Sequence, residues 1–298
     1  MGKHKRKPGD TEKRVRAKID DFISEVQTKN RSIEKHTVLT WLNGLAKDGL
    51  VDTKIDAGAI VYRARLIKNK DKLNGRSPFE GFDGSDSKQP PKEKTLAMRA
   101  NYEYIPYLYC SSTAYGAMSE IRPYINAKIS LAEIQLNKPL RCLDLCYVWN
   151  ETCEDESSYV EKNISFITQL SNMFQKPVEY GENAHDYYPT QRIAEYIKNL
   201  GYDAIIYKSA LDSNALNYCI FNYEKCDVIS TRVYTTQGLT YDFIGDENSK
   251  QIKLDTCGKV EELAAKIYKS ICGEDLVQNL TTVAKLKEVL IKITGKTE

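Results

Sequence analysis

Along the first fifty residues apolar side chains recur every three to four positions: Val15, Ile19, Phe22, Ile23 and Val26, then Ile33, Val38, Leu42 and Leu45. That period predicts two amphipathic helices with a turn near Asn30 and Arg31, the second closing around Gly49. The pattern then changes. Ala59 to Leu66 (AIVYRARL) is β-branched and aromatic and predicts a strand, whereas 68–94 is polar and rich in Gly, Pro, Ser and Lys, a loop expected to be a lid or unstructured. Ile105 to Cys110 predicts a short strand. Ser111, Ser112 and Thr113 then offer an N-cap to a helix over AYGAMSEIR, which Pro123 stops. Lys128 to Leu136 and Leu140 to Leu145 predict strands, and acidic residues 151–161 open a helix to about Phe174.

Pro189 is placed in the first turn of a further helix, whose stripe is Ile193, Ala194, Ile197 and Leu200 and whose C-terminal cap is Gly201. Strands follow at Asp203 to Tyr207, Asn217 to Asn222 and around 228–236, and Val260 to Ile293 is again helical in period. Helices at both ends and strands in the middle, without regular βαβ alternation, predict an α+β fold. Neither GxGxxG nor GxxxxGKS occurs, which argues against a Rossmann or P-loop nucleotide site.

Charge alters this picture in one place. Residues 1–18 hold eight Lys or Arg against Asp10 and Glu12 and read as a solvated basic arm of net +6, so the rest of the chain sums to −4 and offers no broad phosphate-binding surface. No apolar stretch follows that arm, and no run reaches the roughly 18 to 20 residues that span a bilayer, so a cytoplasmic protein is expected. The eight cysteines are then expected as free thiols. Cys142, Cys146 and Cys153 lack the tight spacing of a zinc knuckle, so no metal is expected. Of the twenty tyrosines most are read as half-buried sheet residues, and two or three are expected to wall a ligand cleft. His185, in NAHDYYP, is read as a solvated loop residue rather than a general base.

Chemistry-bearing residues gather at strand ends and on the capped helix: Arg63 and Arg65, which alternation puts on one strand face, then Arg99 to Tyr109, Glu120, and Ser209 just past DAIIY. Taken singly each has an ordinary reading, as surface charge, core aromatic or loop serine. The series VYRAR (61–65), RANYEYIPYLYCSSTAYGAMSEIRP (99–123), PTQRIAEYIKNLGYDAIIYKSA (189–210) and NYCIFN (217–222) resembles, block for block and in order, the RES domain, a toxin family named for an essential Arg, Glu and Ser.

The resemblance implies a mixed β core similar to the ADP-ribosyltransferases over 59–236, with the 68–94 insertion, a helical extension over 19–58 and another over 237–298. By position it carries the catalytic roles to Arg63, Glu120 and Ser209 and substrate binding to Arg65, Arg99, Tyr109 and Asn217. It leaves open which of Arg63 and Arg65 is the essential arginine. The chain departs from the commoner pattern in that insertion and at Ser213, Asn214 and Ala215, where Gly-Gly is frequent. The implied activity is cleavage of the nicotinamide–ribose bond of NAD by water or phosphate, with NAD as substrate and no cofactor, in a toxin–antitoxin or anti-phage setting. The implied partner is an antitoxin. The helical extensions are candidates for docking it, for pairing two copies, or for sensing a trigger. Two other readings compete: transfer of ADP-ribose to a macromolecule, and a non-enzymatic nucleic-acid-binding module held by the basic arm.

Overall fold

The computed structural model describes residues 10–68, 81–146, 158–176 and 184–240. Helix α1 (Asp10–Thr28) buries Thr11, Val15, Ile19, Phe22 and Val26. The basic arm therefore does not extend to residue 18. The stripe begins at Thr11, and Lys13, Arg14, Arg16 and Lys18 occupy the exposed remainder of the same helix. Helix α2 (Thr37–Asp48) starts under the ring of His36, whose Nδ1 accepts from the backbone N–H of Val38, and stops at Gly49 in the left-handed conformation that glycine tolerates best.

The eight strands of the sheet are β1 (Asp52–Ile55), β2 (Ile60–Leu66), β3 (Leu108–Ser111), β4 (Lys128–Leu136), β5 (Leu140–Asp144), β6 (Ala204–Lys208), β7 (Leu216–Ile220) and β8 (Cys226–Thr235). Their order is β1-β5-β6-β7-β3-β2-β4-β8, and every pairing is antiparallel except β5 with β6. The α+β class holds. Strand β1 was not foreseen: DTKI carries no apolar alternation, and it is a strand because its edge position lets it pair with β5, Asp52 opposite Leu143.

Helices α5 (Ser158–Gln175) and α6 (Ala184–Asn199) join α1 and α2 over one sheet face. Phe22, Leu39, Leu42, Phe166, Leu170, Ile193 and Ile197 share one core with Leu143, Ile205 and Cys219 of the strands, so residues 19–58 belong to the same packed body as the sheet rather than forming an appendage. The opposite face carries Val61, Cys110, Ile134, Cys142, Ala204 and Ile206. The cysteines among the described residues are free. Part of the 68–94 stretch is built rather than loose: Asp83 caps a helical turn, α3 (Gly84–Ser87), and Phe82 and Ser87 are buried. Pro189 sits inside α6 rather than in its first turn. The carbonyl of His185, deprived of a proline N–H, accepts instead from Gln27 Nε2 at 3.4 Å. His185 is thus a helix residue, exposed, with Nε2 3.0 Å from the carbonyl of Gln27. None of the described helices is long and apolar enough to cross a membrane. The helical pattern predicted for 260–293, and Cys153, lie outside the described residues.

Candidate functional site

Strands β2 and β3 meet at a single registered pair, Tyr62 with Ser111. Arg63 with Cys110 and Ala64 with Tyr109 would pair next and do not, so the two central strands part there. Both edges of the gap, Tyr62 to Ala64 and Tyr109 to Ser111, line a cavity of about 520 Å³. Helix α4 (Ala114–Glu120) roofs one side. Its start is fixed by Thr113, whose Oγ1 accepts from Gly116 N at 2.9 Å, as the Ser-Ser-Thr run predicted, and its last residue is Glu120.

Glu120 is held by two donors on one oxygen. Ser209 Oγ donates to Oε1 at 2.6 Å and Asn217 Nδ2 donates to the same Oε1 at 2.7 Å. The Ser209 bond can run in one direction only. Its Oγ already accepts the N–H groups of Leu211 and Asp212, each at 3.1 Å, which uses both lone pairs and leaves its hydrogen for the carboxylate. The Asn217 amide is likewise oriented, because Oδ1 turned toward a carboxylate would repel it. Ser209, only 8% exposed, stands behind the cavity wall rather than in it, whereas Glu120 and Asn217 are lining residues. No hydrogen bond reaches Glu120 Oε2 from the described residues.

Arg63 is placed differently. Tyr62 shares its sheet face with Ser111, Asn217 and Tyr207 through the strand register, so alternation turns Arg63 and Arg65 to the other side. There Arg63 Nη1 donates to the carbonyl of Ser87 at 3.0 Å, and Arg65 donates to that of Asp86 with its guanidinium 4.2 Å above the Phe82 ring. Arg63 still borders the cavity at the strand gap; Arg65 does not. Burial pushes the Arg63 pKa down to about 10, with Cys110 opposing and Arg65 reinforcing the shift, and this leaves it charged at neutral pH. The structure thus joins Glu120 to Ser209 directly, and joins neither to Arg63.

Arg99 and Tyr109 line the cavity. Arg99 Nη1 caps the end of α5 through the carbonyl of Met173 at 3.1 Å. Tyr109 OH donates to Asn101 Oδ1 at 2.9 Å and accepts from Ala100 N at 3.2 Å, and its burial raises its pKa. Two residues that sequence reasoning missed complete this wall. Asn101 Nδ2 ties the carbonyls of Leu96 and Tyr102, and Gln191 Nε2 on α6 holds those of Met98 and Asn101, so segment 96–102 is fastened to the helix layer. Nothing in an isolated Asn or Gln marks it for this. Among the described residues five tyrosines line the cavity, more than the two or three expected: Tyr62, Tyr107, Tyr109, Tyr187 and Tyr207. So, among the described residues, do six cationic ones, Arg63, Lys94, Arg99, Arg122, Lys176 and Lys208, and one acidic one, Glu120. The near-neutral total charge concealed this concentration.

The described residues thus form an α+β body whose mostly antiparallel sheet opens into a cleft lined by cations and tyrosines around the tethered Glu120 carboxylate. The chain belongs to the RES-domain family: the family model, described as RES domain, matches residues 60–243. No curated protein matches it in sequence. Among solved structures, a chain of the M. tuberculosis MbcT–MbcA toxin–antitoxin complex is similar over 67% of this chain and 92% of that one, at 11% identity and a TM-score of 0.39.

Proposed function

We propose that this RES domain cleaves the nicotinamide–ribose bond of NAD and acts as a toxin kept in check by an antitoxin. The observation that carries the reading is Glu120, a cavity-lining carboxylate fixed through one oxygen by two donors. Heterolysis of the bond sends its electron pair to the pyridinium nitrogen, which leaves as neutral nicotinamide, and positive charge develops on the ribose as in glycoside hydrolysis. A fixed carboxylate stabilises that charge without having to reorganise. Water then bonds to the anomeric carbon and passes a proton to solvent, or hydrogen phosphate bonds there through an anionic oxygen. The cavity volume lies within the range of about 300–1,000 Å³ usual for small-molecule sites. Its cations suit a pyrophosphate and its tyrosine faces suit the flat rings. Leu96 and Met98 line the same cavity while 72% and 50% exposed, which supports an apolar segment of the antitoxin as their cover.

The test is to incubate the purified chain with NAD and quantify free nicotinamide. The wild type should release it, and Glu120→Gln, folded equally well, should lose on the order of a hundredfold or more of the rate. Absence of release by the folded wild type, or equal rates for the two, refutes the reading. Labelled NAD added to a lysate separates the acceptors: a labelled macromolecule, instead of soluble ADP-ribose products, would point to transfer.

A further inference from the structure

Asn217 was expected to touch substrate, but its contacts give it another task. It sits on β7 between two strands, opposite Ser111 of β3 and Tyr207 of β6, so its backbone cannot drift without disrupting both ladders. Its side chain is buried, at 6% exposure. Nδ2 meets Glu120 Oε1 at 2.7 Å, while Oδ1 is buried without a hydrogen-bond partner. A buried amide acceptor left unpaired is unfavourable, and an apolar residue of similar size would remove that cost. Asparagine in the centre of a sheet is also a poor strand former beside Val or Leu. Packing therefore gives no reason for Asn217; its one polar contact does.

We infer that Asn217 is a positioning residue: its amide and the Ser209 hydroxyl form a two-donor clamp that holds Glu120 in the orientation that chemistry at the cavity requires. The two donors enter from different strand ends, Ser209 just past β6 and Asn217 from within β7, and together they restrict rotation of the carboxylate about its terminal bond. Ser209 alone would act as a pivot. The inference rests on the NAD reading for its assay but concerns a residue outside the Arg-Glu-Ser set.

Asn217→Leu and Asn217→Val test it, because they separate an effect on turnover from an effect on stability. Both variants should melt close to the wild type, since loss of the bond to Glu120 is offset by removal of the unpaired Oδ1 and by the better strand residue. Nicotinamide release should show kcat down by about tenfold or more, as expected for loss of one hydrogen bond to a charged group, with KM within about twofold. Full kcat in a folded variant overturns the inference. So does a lowered melting temperature in both variants, with activity lost only in proportion to the folded fraction. If the wild type itself releases no nicotinamide, the NAD reading fails and takes this one with it; an active wild type beside equally active variants removes the role of Asn217 alone.

Discussion

Gly116 sits on α4 one turn before Glu120, and replacing it with alanine sets two effects against each other. Helix propensity favours the change, by about 1 kcal/mol in a helix interior. The surroundings oppose it. A Cβ at Gly116 would stand 2.6 Å from the Cβ of Ala215, 2.6 Å from Ser111 Oγ and 2.9 Å from Thr113 Oγ1. Carbon–carbon contacts settle near 3.5–4.0 Å, so the helix must retreat by roughly 1 Å. Ala215 cannot yield in its place, since it is buried and its N–H and C=O are tied to Asp212 and Ser209. Overpacking of this kind costs about 1–3 kcal/mol, which outweighs the propensity gain over most of that range. For a chain of this size each kcal/mol lowers Tm by about 2–4 °C. The larger effect falls on the site. A 1 Å retreat stretches the contacts of 2.6 and 2.7 Å that hold Glu120 beyond hydrogen-bonding range. Gly116→Ala should therefore melt a few degrees lower in a thermal scan and release nicotinamide at least about tenfold more slowly while fully folded. A variant that melts higher than wild type, with unchanged turnover, would refute the packing argument.

Ser209→Ala should differ from the Asn217 variants in stability: besides stripping Glu120 of a donor it strands the N–H groups of Leu211 and Asp212, so a loss of about 1–3 kcal/mol in denaturant titration should accompany the fall in nicotinamide release. Asp203 supplies a pH dependence. Burial acts to raise its pKa, but bonds from Lys225 at 2.7 Å, the Arg141 backbone N–H and Asn222 prevail and hold it below the free value of 3.8. A carboxylate depressed in the folded state contributes stability that is complete above the unfolded pKa and disappears as pH falls through the folded one. Melting temperatures measured from pH 6 down to pH 2 should thus fall less steeply for Asp203→Asn than for wild type below about pH 4, and parallel curves would dismiss the linkage.

Much of the scaffold was legible because its signals are local. The period of Val15, Ile19, Phe22 and Val26, the Thr113 cap, the αL glycine at 49 and the β-branched run of β2 each depend on neighbours a few residues away. What escaped is long-range. Asp52–Ile55 is a strand only because β5 lies beside it, and Gln191 is a fastener only because α6 passes the 98–101 carbonyls. Alternation correctly placed Arg63 and Arg65 on one face, but only the register of Tyr62 with Ser111 shows that this face looks away from Glu120. The meeting of Glu120, Ser209 and Asn217 likewise needs the sheet order, in which β6 and β7 come to lie beside β3.

A serine beside a carboxylate invites comparison with hydrolases that attack through an activated hydroxyl. Here the oxygen has no electron pair to offer, since Leu211 and Asp212 occupy both, and attack on any electrophile would first demand that the turn after β6 unravel. Fluorophosphonates and other acylating or phosphonylating probes of nucleophilic serine should accordingly pass Ser209 by, and under the proposed NAD reading inhibitors are better sought among mimics of a cationic ribose.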